Sequence, residues 1–417
     1  PISITHPVTV DLTPAAITIN TIATDDVING AEKGADLTLS GTTTNVEAGQ
    51  TVTVTFGGKN YTASVASDGS WSATVPAADL ALLTDGSASA QASVSNINGN
   101  SASAVHNYSV DSSAPTIIIN TVASDNIVNA SEADAGVTVS GSTTAEAGQI
   151  VTVTLNSPTV QTYQATVQAD GSWSINIPAA DLEALTDGSH TLTAMVNDKA
   201  GNPASTTHNL AVDLTVPVLT INTIAGDDII NAAEHGQALV ISGSSTGGEA
   251  GDVVTVTLNS KTYTTTLDAS GNWSVGVPAA DVTALGSGPQ AVTATVTDAA
   301  GNSDSETHTV TVNLTAPTIG INTIATDDVI NATEKGADLQ ISGTSNQPAG
   351  TTITVTLNGQ NYTATTDASG NWSTTVPASA VGALGEASYT VTANVTDSAG
   401  NSNSASHNVQ VNTALPG

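Results

Sequence analysis

One phrase constrains this chain more than any other, because it is written four times. "INTIATDDVINGAE" begins at Ile19 and returns as "INTVASDNIVNASE" at Ile119, "INTIAGDDIINAAE" at Ile221 and "INTIATDDVINATE" at Ile321. Tryptophans at 71, 173, 273 and 372 and prolines at 14, 115, 217 and 317 keep the same step. A period near 100 residues is domain-sized. Such a unit can close its own core, whereas a solenoid turn needs its neighbours to do so. Residues 1–13, "PISITHPVTVDLT", match the end of a unit, and Pro416 would open another. The expected organisation is the last strand and linker of a preceding repeat at 1–13, then repeats at 14–113, 114–215, 216–315 and 316–417, the last with the start of a further linker. A chain that begins in mid-pattern reads as an excerpt from something longer.

Within a repeat the apolar residues alternate with a period of two. In the second repeat the expected strands are "PTIIINTV" at 115–122, "GVTVSG" at 136–141, "IVTVTL" at 150–155, "YQATVQ" at 163–168, "WSINIP" at 173–178, "HTLTAMV" at 190–196 and "STTHNLAV" at 205–212. The fourth and fifth flank "ADGS", which reads as a hairpin turn, and "NDKAGN" at 197–202 joins the last two. A short turn of helix is expected at "PAADLEAL", 178–185. Seven short strands with frequent turns predict an all-β fold: four tandem seven-stranded immunoglobulin-like β-sandwiches in an elongated rod. The Cys–Trp–Cys hallmark of antibody domains is missing, since the chain has no cysteine.

Charge narrows the function. The chain carries 37 acidic residues against five lysines, Lys33, Lys59, Lys199, Lys261 and Lys335, for a net charge of −32. That balance argues against nucleic acid or an anionic membrane as partner and favours cations. No apolar run approaches the roughly 20 residues that span a bilayer, and no signal-peptide pattern opens the chain. The lack of cysteine points to the cytosol or to a bacterial exterior served by another stabiliser.

The acids are crowded where strand polarity would bring repeats together. The loop after the first strand holds Asp25, Asp26, Asn29 and Glu32, and the exit of the last strand carries the linker acid Asp111. Both should lie at the far end of the first repeat, beside the 197–202 loop of the next, with Asp198 and Asn202. The same reasoning groups Asp125, Asn126, Glu132 and Asp213 with Asp298 and Asn302, and Asp227, Asp228, Glu234 and Asn313 with Asp397 and Asn401. Asp327, Asp328 and Glu334 stand at the far end of the fourth repeat, and Asp11 with Asn96 and Asn100 at the near end of the first. Carboxylates about 4–5 Å apart repel by roughly 4 kcal/mol per pair at an effective dielectric of 20. Oxygen-rich clusters of this kind suit Ca²⁺, which takes six to eight hard ligands in irregular geometry; zinc would want His or Cys. The competing reading is that each Asp or Asn simply forms its turn.

Other chemistry has little support. Gly243-Ser244-Ser245-Thr246-Gly247 matches a nucleophile elbow in form, but it occurs in one repeat only and opens no helix. His106, His208, His308 and His407 recur once per repeat and read as structural, with His190 and His235 isolated. Trp71, Trp173, Trp273 and Trp372 read as core or rim residues rather than a sugar platform, as do Tyr61, Tyr163, Tyr263 and Tyr362.

Taken in order, several motifs resemble those of the bacterial immunoglobulin-like repeats of giant RTX-type and biofilm-associated surface adhesins. They are the linker Asp213-Leu214-Thr215-Val216-Pro217, "ITVTLNG" at 353–359, "ASGNWS" ending at Ser373, "VPAADL" at 75–80 and "TDAAGN" at 297–302. The resemblance covers all four repeats. It implies a protein exported by a type I system to the bacterial surface, whose repeats form a stalk stiffened by Ca²⁺ at the junctions. The expected function is to present a distal binding domain to a host cell, a surface or a biofilm matrix, with neighbouring repeats of the same chain as the direct partners. Two alternatives stay open here: repeats that themselves hold carbohydrate or protein, and spacers of a secreted enzyme. Strands of about ten residues rise roughly 33 Å, so four repeats in line would span on the order of 150–180 Å.

Overall fold

A computed structural model describes residues 4–8, 10–156 and 159–414. Pro416 and residues 1–3 and 9 of the opening match lie outside them, and the described remainder of 1–13 forms no strand. The chain divides into two compact units between Leu214 and Thr215. Each unit contains two repeats.

The first repeat comprises β1 (Ala16–Ile17), β2 (Val27–Ile28), α1 (Gly30–Lys33), β3 (Leu37–Thr44), β4 (Thr51–Phe56), β5 (Lys59–Ser64), β6 (Ser70–Val75), α2 (Ala77–Leu80), β7 (Gly86–Ser95) and β8 (Ser101–Val110). A three-stranded sheet in the order β1-β3-β6 faces a five-stranded sheet in the order β2-β8-β7-β4-β5. Both sheet orders recur in the other three repeats. The chain is therefore an all-β array of four immunoglobulin-like sandwiches. α2 and its counterparts Ala179–Leu182, Ala279–Thr283 and Ala378–Gly382 occupy the expected helical turn.

Alternation fills each interior. Val52, Val54 and Phe56 of β4 lie beside Ala90, Ala92 and Val94 of the neighbouring β7, all buried, and each repeat closes a separate core of this kind. The tryptophan at the second position of β6 lies in that core. Its register partner on β3 is a glycine: Gly41 with Trp71, and likewise Gly141 with Trp173, Gly243 with Trp273 and Gly343 with Trp372. A Cβ on Gly141 would lie 1.9 Å from the carbonyl oxygen of Ile118 and 2.5 Å from the indole. No other residue fits where the ring lies flat on the backbone.

Two local expectations change. The segment "ADGS" and its first-repeat counterpart "SDGS" at 67–70 close no hairpin, because the strands that they join, β5 and β6 in the first repeat, belong to different sheets. The turn carries the chain from one sheet to the other, with Asp68 accepting from Ser70 N at 3.0 Å. The hairpin is β4–β5, turned through Gly57 and Gly58 at φ +55° and +77°, and through Asn259 and Ser260 at +49° and +60° in the third repeat. Positive φ at both central residues is the type I′ requirement.

The loop expected after the first strand also holds a short strand of its own, β2 in the first repeat and Ile127–Asn129 in the second. Ala23, Thr24 and Asp26 take φ of +52°, +73° and +68°, and the turn is closed by Asp26 N to Ile22 O at 2.7 Å. This turn moves the chain across to the five-stranded sheet, where β2 pairs parallel with β8. Asp111 N then donates to Ile28 O at 3.0 Å, which holds the exit of β8 beside α1.

Candidate site at the repeat junctions

The short helix α1 fixes one wall of the junction. Asn29 is its N-cap, accepting from Ala31 N and Glu32 N, while Glu32 Oε2 accepts from Asn29 N at 3.0 Å. This is a reciprocal capping box. Asn129 with Glu132 forms the same box, and Asn231 with Glu234 and Asn331 with Glu334 make the same reciprocal bonds. The sequence signal is N-x-x-E in every repeat, and its glutamates are also expected metal ligands.

The three segments expected to converge do so within each unit. At the junction of the first and second repeats, Asn202 of the loop between Gly188–Asn197 and Pro203–Asp213 reaches across. Its Oδ1 accepts from Gly30 N at 2.7 Å, and its Nδ2 donates to the linker carbonyl of Asp111 at 2.9 Å. Asp198 holds the asparagine in place, accepting from Asn202 N at 2.8 Å and from its Nδ2 at 2.9 Å. Asp198 and Asn202 are 7% and 4% exposed, so the pair that reaches across is itself shielded from water.

The third and fourth repeats repeat the geometry. Asn401 accepts from Ala232 N at 2.8 Å, donates to Asn313 O at 2.9 Å, and is held by Asp397 at 2.8 Å through its backbone N–H. In the third repeat Asp298 and Asn302 make the same internal pair, at 2.8 and 2.9 Å. At the near end of the first repeat Asn100 donates to the carbonyls of Asp11 and Thr13, and Asn98 donates to Asp11 Oδ2 at 2.7 Å.

Other expected ligands have partners inside their own repeat. Asp26 Oδ1 accepts from Ile22 N at 2.8 Å and meets His106 Nε2 at 2.6 Å. These contacts, the backbone donor first, hold the Asp26 carboxyl below the usual carboxylate range. Asp228 with His308 and Asp328 with His407 form the same pair and are lowered for the same reason. In the second repeat Asn126 takes the place of the acid beside His208, at 2.7 Å. The recurring histidines are thus structural. Asp25, Asp125, Asp227 and Asp327 each accept from the backbone N–H two residues on, as turn formers do. Asp111 accepts from Ser113 N at 3.3 Å, and Asp213 ends the last strand of the second repeat. Asn412 continues the fourth repeat past its last strand, its N–H bonded to Ile330 O at 3.1 Å.

A further set of acids went unrecognised. Asp85 accepts from Ser112 and Ser113, Asp187 from Leu214 N at 2.7 Å, and Glu386 from Thr413 N at 3.1 Å. Each ties the linker down to the segment entering β7 or its counterpart. The signal was the "LTDGS" at 83–87 and 185–189, which reads equally well as a turn.

The junction oxygens are carboxylate, amide and carbonyl, a set suited to Ca²⁺ and not to zinc. Their observed arrangement is a hydrogen-bonded seam and not a coordination shell. Among the described residues, no three His, Cys, Asp or Glu side chains stand where they could hold one metal. Asp25, Asp26 and Glu32 each commit one of two carboxylate oxygens to a protein donor.

The chain belongs to the bacterial Ig-like domain family, whose pattern matches residues 114–214, 240–314 and 318–413. No curated protein matches it. Among solved structures it is similar to a Ca²⁺-stabilized adhesin that helps an Antarctic bacterium reach out and bind ice. Identity is 36%, 96% of this chain and 100% of that one are covered, and the TM-score is 0.40. A 1.5-MDa bacterial ice-binding adhesin shares 35% identity over 73% of this chain and 100% of its own, with a TM-score of 0.38. A tetra-tandem repeat from the extending region of a large adhesion protein shares 26% over 96% and 100%, also with a TM-score of 0.38. Among the described residues no helix is long and apolar enough to cross a membrane.

Proposed function

We propose that this chain is a stretch of the stalk of a large bacterial surface adhesin, working outside the cell and exported by a type I system. A binding domain elsewhere makes the adhesive contact with a host cell, a surface or a biofilm matrix. The observation that carries this reading is the built seam between repeats. At both junctions described, the linker, the residue after a capping asparagine and the next-repeat loop meet through polar contacts anchored on a buried asparagine, which a freely jointed spacer has no use for.

In this reading Ca²⁺ adds stiffness at the acidic junctions. Its ligands are drawn from Asp25, Glu32, Asp111 and Asp198 at the junction of the first and second repeats and from Asp227, Glu234, Asn313 and Asp397 at that of the third and fourth, with linker carbonyls completing the set. Support comes from the charge of −32, which five lysines cannot offset, and from Asp25, Glu32 and Asp111, each of which gives one carboxylate oxygen to a backbone N–H and keeps the other. Calcium is also the ion named for the Antarctic adhesin, but the proposal rests on the donors of this chain. The repeats are not catalytic. Direct sugar stacking has no platform either, because all four tryptophans are 2–3% exposed.

Calorimetric titration of the whole chain with CaCl₂ tests the calcium step. A saturable heat is expected that shrinks when Asp111→Asn and Asp25→Asn are combined and vanishes as the carboxylates protonate near pH 4. A chain that gives no more heat with calcium than with buffer contradicts it.

A further inference from the structure

The asparagine of the β7–β8 turn and its counterparts does something the calcium reading does not require. A primary amide presents a donor and an acceptor on one planar group. At the first junction the acceptor takes the N–H of Gly30, one of the helix-start donors that no intrahelical carbonyl can satisfy. The donor meets the carbonyl of Asp111, which is held beside that helix by the Asp111 N–H to Ile28 O bond. One side chain thus grips both the body of the preceding repeat and its linker.

The geometry is reproduced at the junction of the third and fourth repeats, with Ala232, Asn313 and Asn401 in the same roles. The asparagine is present in all four turns, as Asn100, Asn202, Asn302 and Asn401. The residue that orients it is less strict. Asp198, Asp298 and Asp397 serve in three repeats, but Asn96 serves in the first, accepting from Asn100 N at 2.9 Å. There the amide still reaches the linker carbonyl of Asp11 at 3.2 Å. The donor half of the contact is thus kept where the loop itself carries no carboxylate.

We infer that this buried asparagine is a metal-independent key between the repeats of a unit: the N–H that follows the capping asparagine and the linker carbonyl of one repeat form an interaction surface that accepts a D-x-A-G-N loop, or its N-x-x-G-N variant, from the next. Aspartate cannot replace it. A carboxylate accepts from the helix but has no proton for the linker carbonyl, and it would face Asp198 as a like charge. Alanine removes the partner of both backbone groups.

The inference does not depend on calcium binding, and its test is separate. The absence of native cysteine allows nitroxide labels at Ser89→Cys and Ser205→Cys, exposed positions on the first two repeats, with distances read by pulsed electron paramagnetic resonance in calcium and in chelator. The parent chain in chelator is expected to keep one dominant distance, broadened relative to calcium. Asn202→Ala and Asn202→Asp are expected to lose that distance in chelator, with the strand signal in circular dichroism retained. Asp198→Asn, which copies the first repeat, is expected to keep it. A dominant distance that survives in chelator in both Asn202 variants overturns the inference, as does its complete loss in Asp198→Asn. Absence of calcium heat in the parent would overturn the calcium reading alone.

Discussion

Asp26 shows how much one side chain does in this fold and how easily its work is misread. It closes the left-handed turn through Ile22 N and braces His106 on β8, and its carboxyl is lowered by both. A carboxyl lowered in the folded state contributes stability that is present above the ordinary value of 3.8 and is lost as pH falls through the lowered one. Asn126 accepts the same two contacts without a charge. Asp26→Asn should therefore preserve the first repeat but lower its melting temperature near neutral pH. The difference from the parent should close in strong acid, where Asp26 is protonated; a gap that stays constant across the titration would contradict this. The recurring histidine and tryptophan were legible as structural because each falls once per repeat. Their partners were not. That Gly141 exists to let Trp173 lie on the backbone is a fact of cross-strand register, which no linear spacing displays.

At the scale of the element, the repeat phrase "IATDDVIN" encodes a crossing between sheets, not an open acidic loop. The crossing needs positive φ at residues that pay for it. Thr24 sits at +73° and Thr326 at +70°, but the third repeat places Gly226 there at +90°. A left-handed residue with a Cβ costs roughly 1–2 kcal/mol, part of which glycine gives back through its freer unfolded chain. Thr24→Gly is accordingly expected to stabilise the first repeat by up to about 1 kcal/mol in denaturant melts. A loss of stability would show that the threonine makes contacts this account overlooks. Strand alternation made the sandwich readable, and Pro-Ala-Ala-Asp made α2 readable. The hairpin was misplaced because Asp-Gly serves a sheet-to-sheet turn as readily as a two-residue one, while Asn259-Ser260 looks unremarkable until its backbone is seen. The capping box went unread for a related reason: glutamate three residues after asparagine is as good a ligand pattern as a cap.

For the whole molecule, the repeat period and strand polarity sufficed to predict that linker, helix-start loop and next-repeat turn would meet. They do meet within each unit, but what fills the seam is an asparagine amide and not a row of free carboxylates. The charge of −32 is then left to act along the array, where like charges favour bending apart wherever a cation does not neutralise them. The key and the cation would divide the task, one setting how repeats meet and the other resisting the repulsion between them. Small-angle scattering of the full chain in calcium and then in chelator measures this most directly. A maximum dimension that is larger in calcium and falls when the ion is stripped, with circular dichroism unchanged, is the result expected of a stalk stiffened at its seams. The same maximum dimension in both solutions would contradict it.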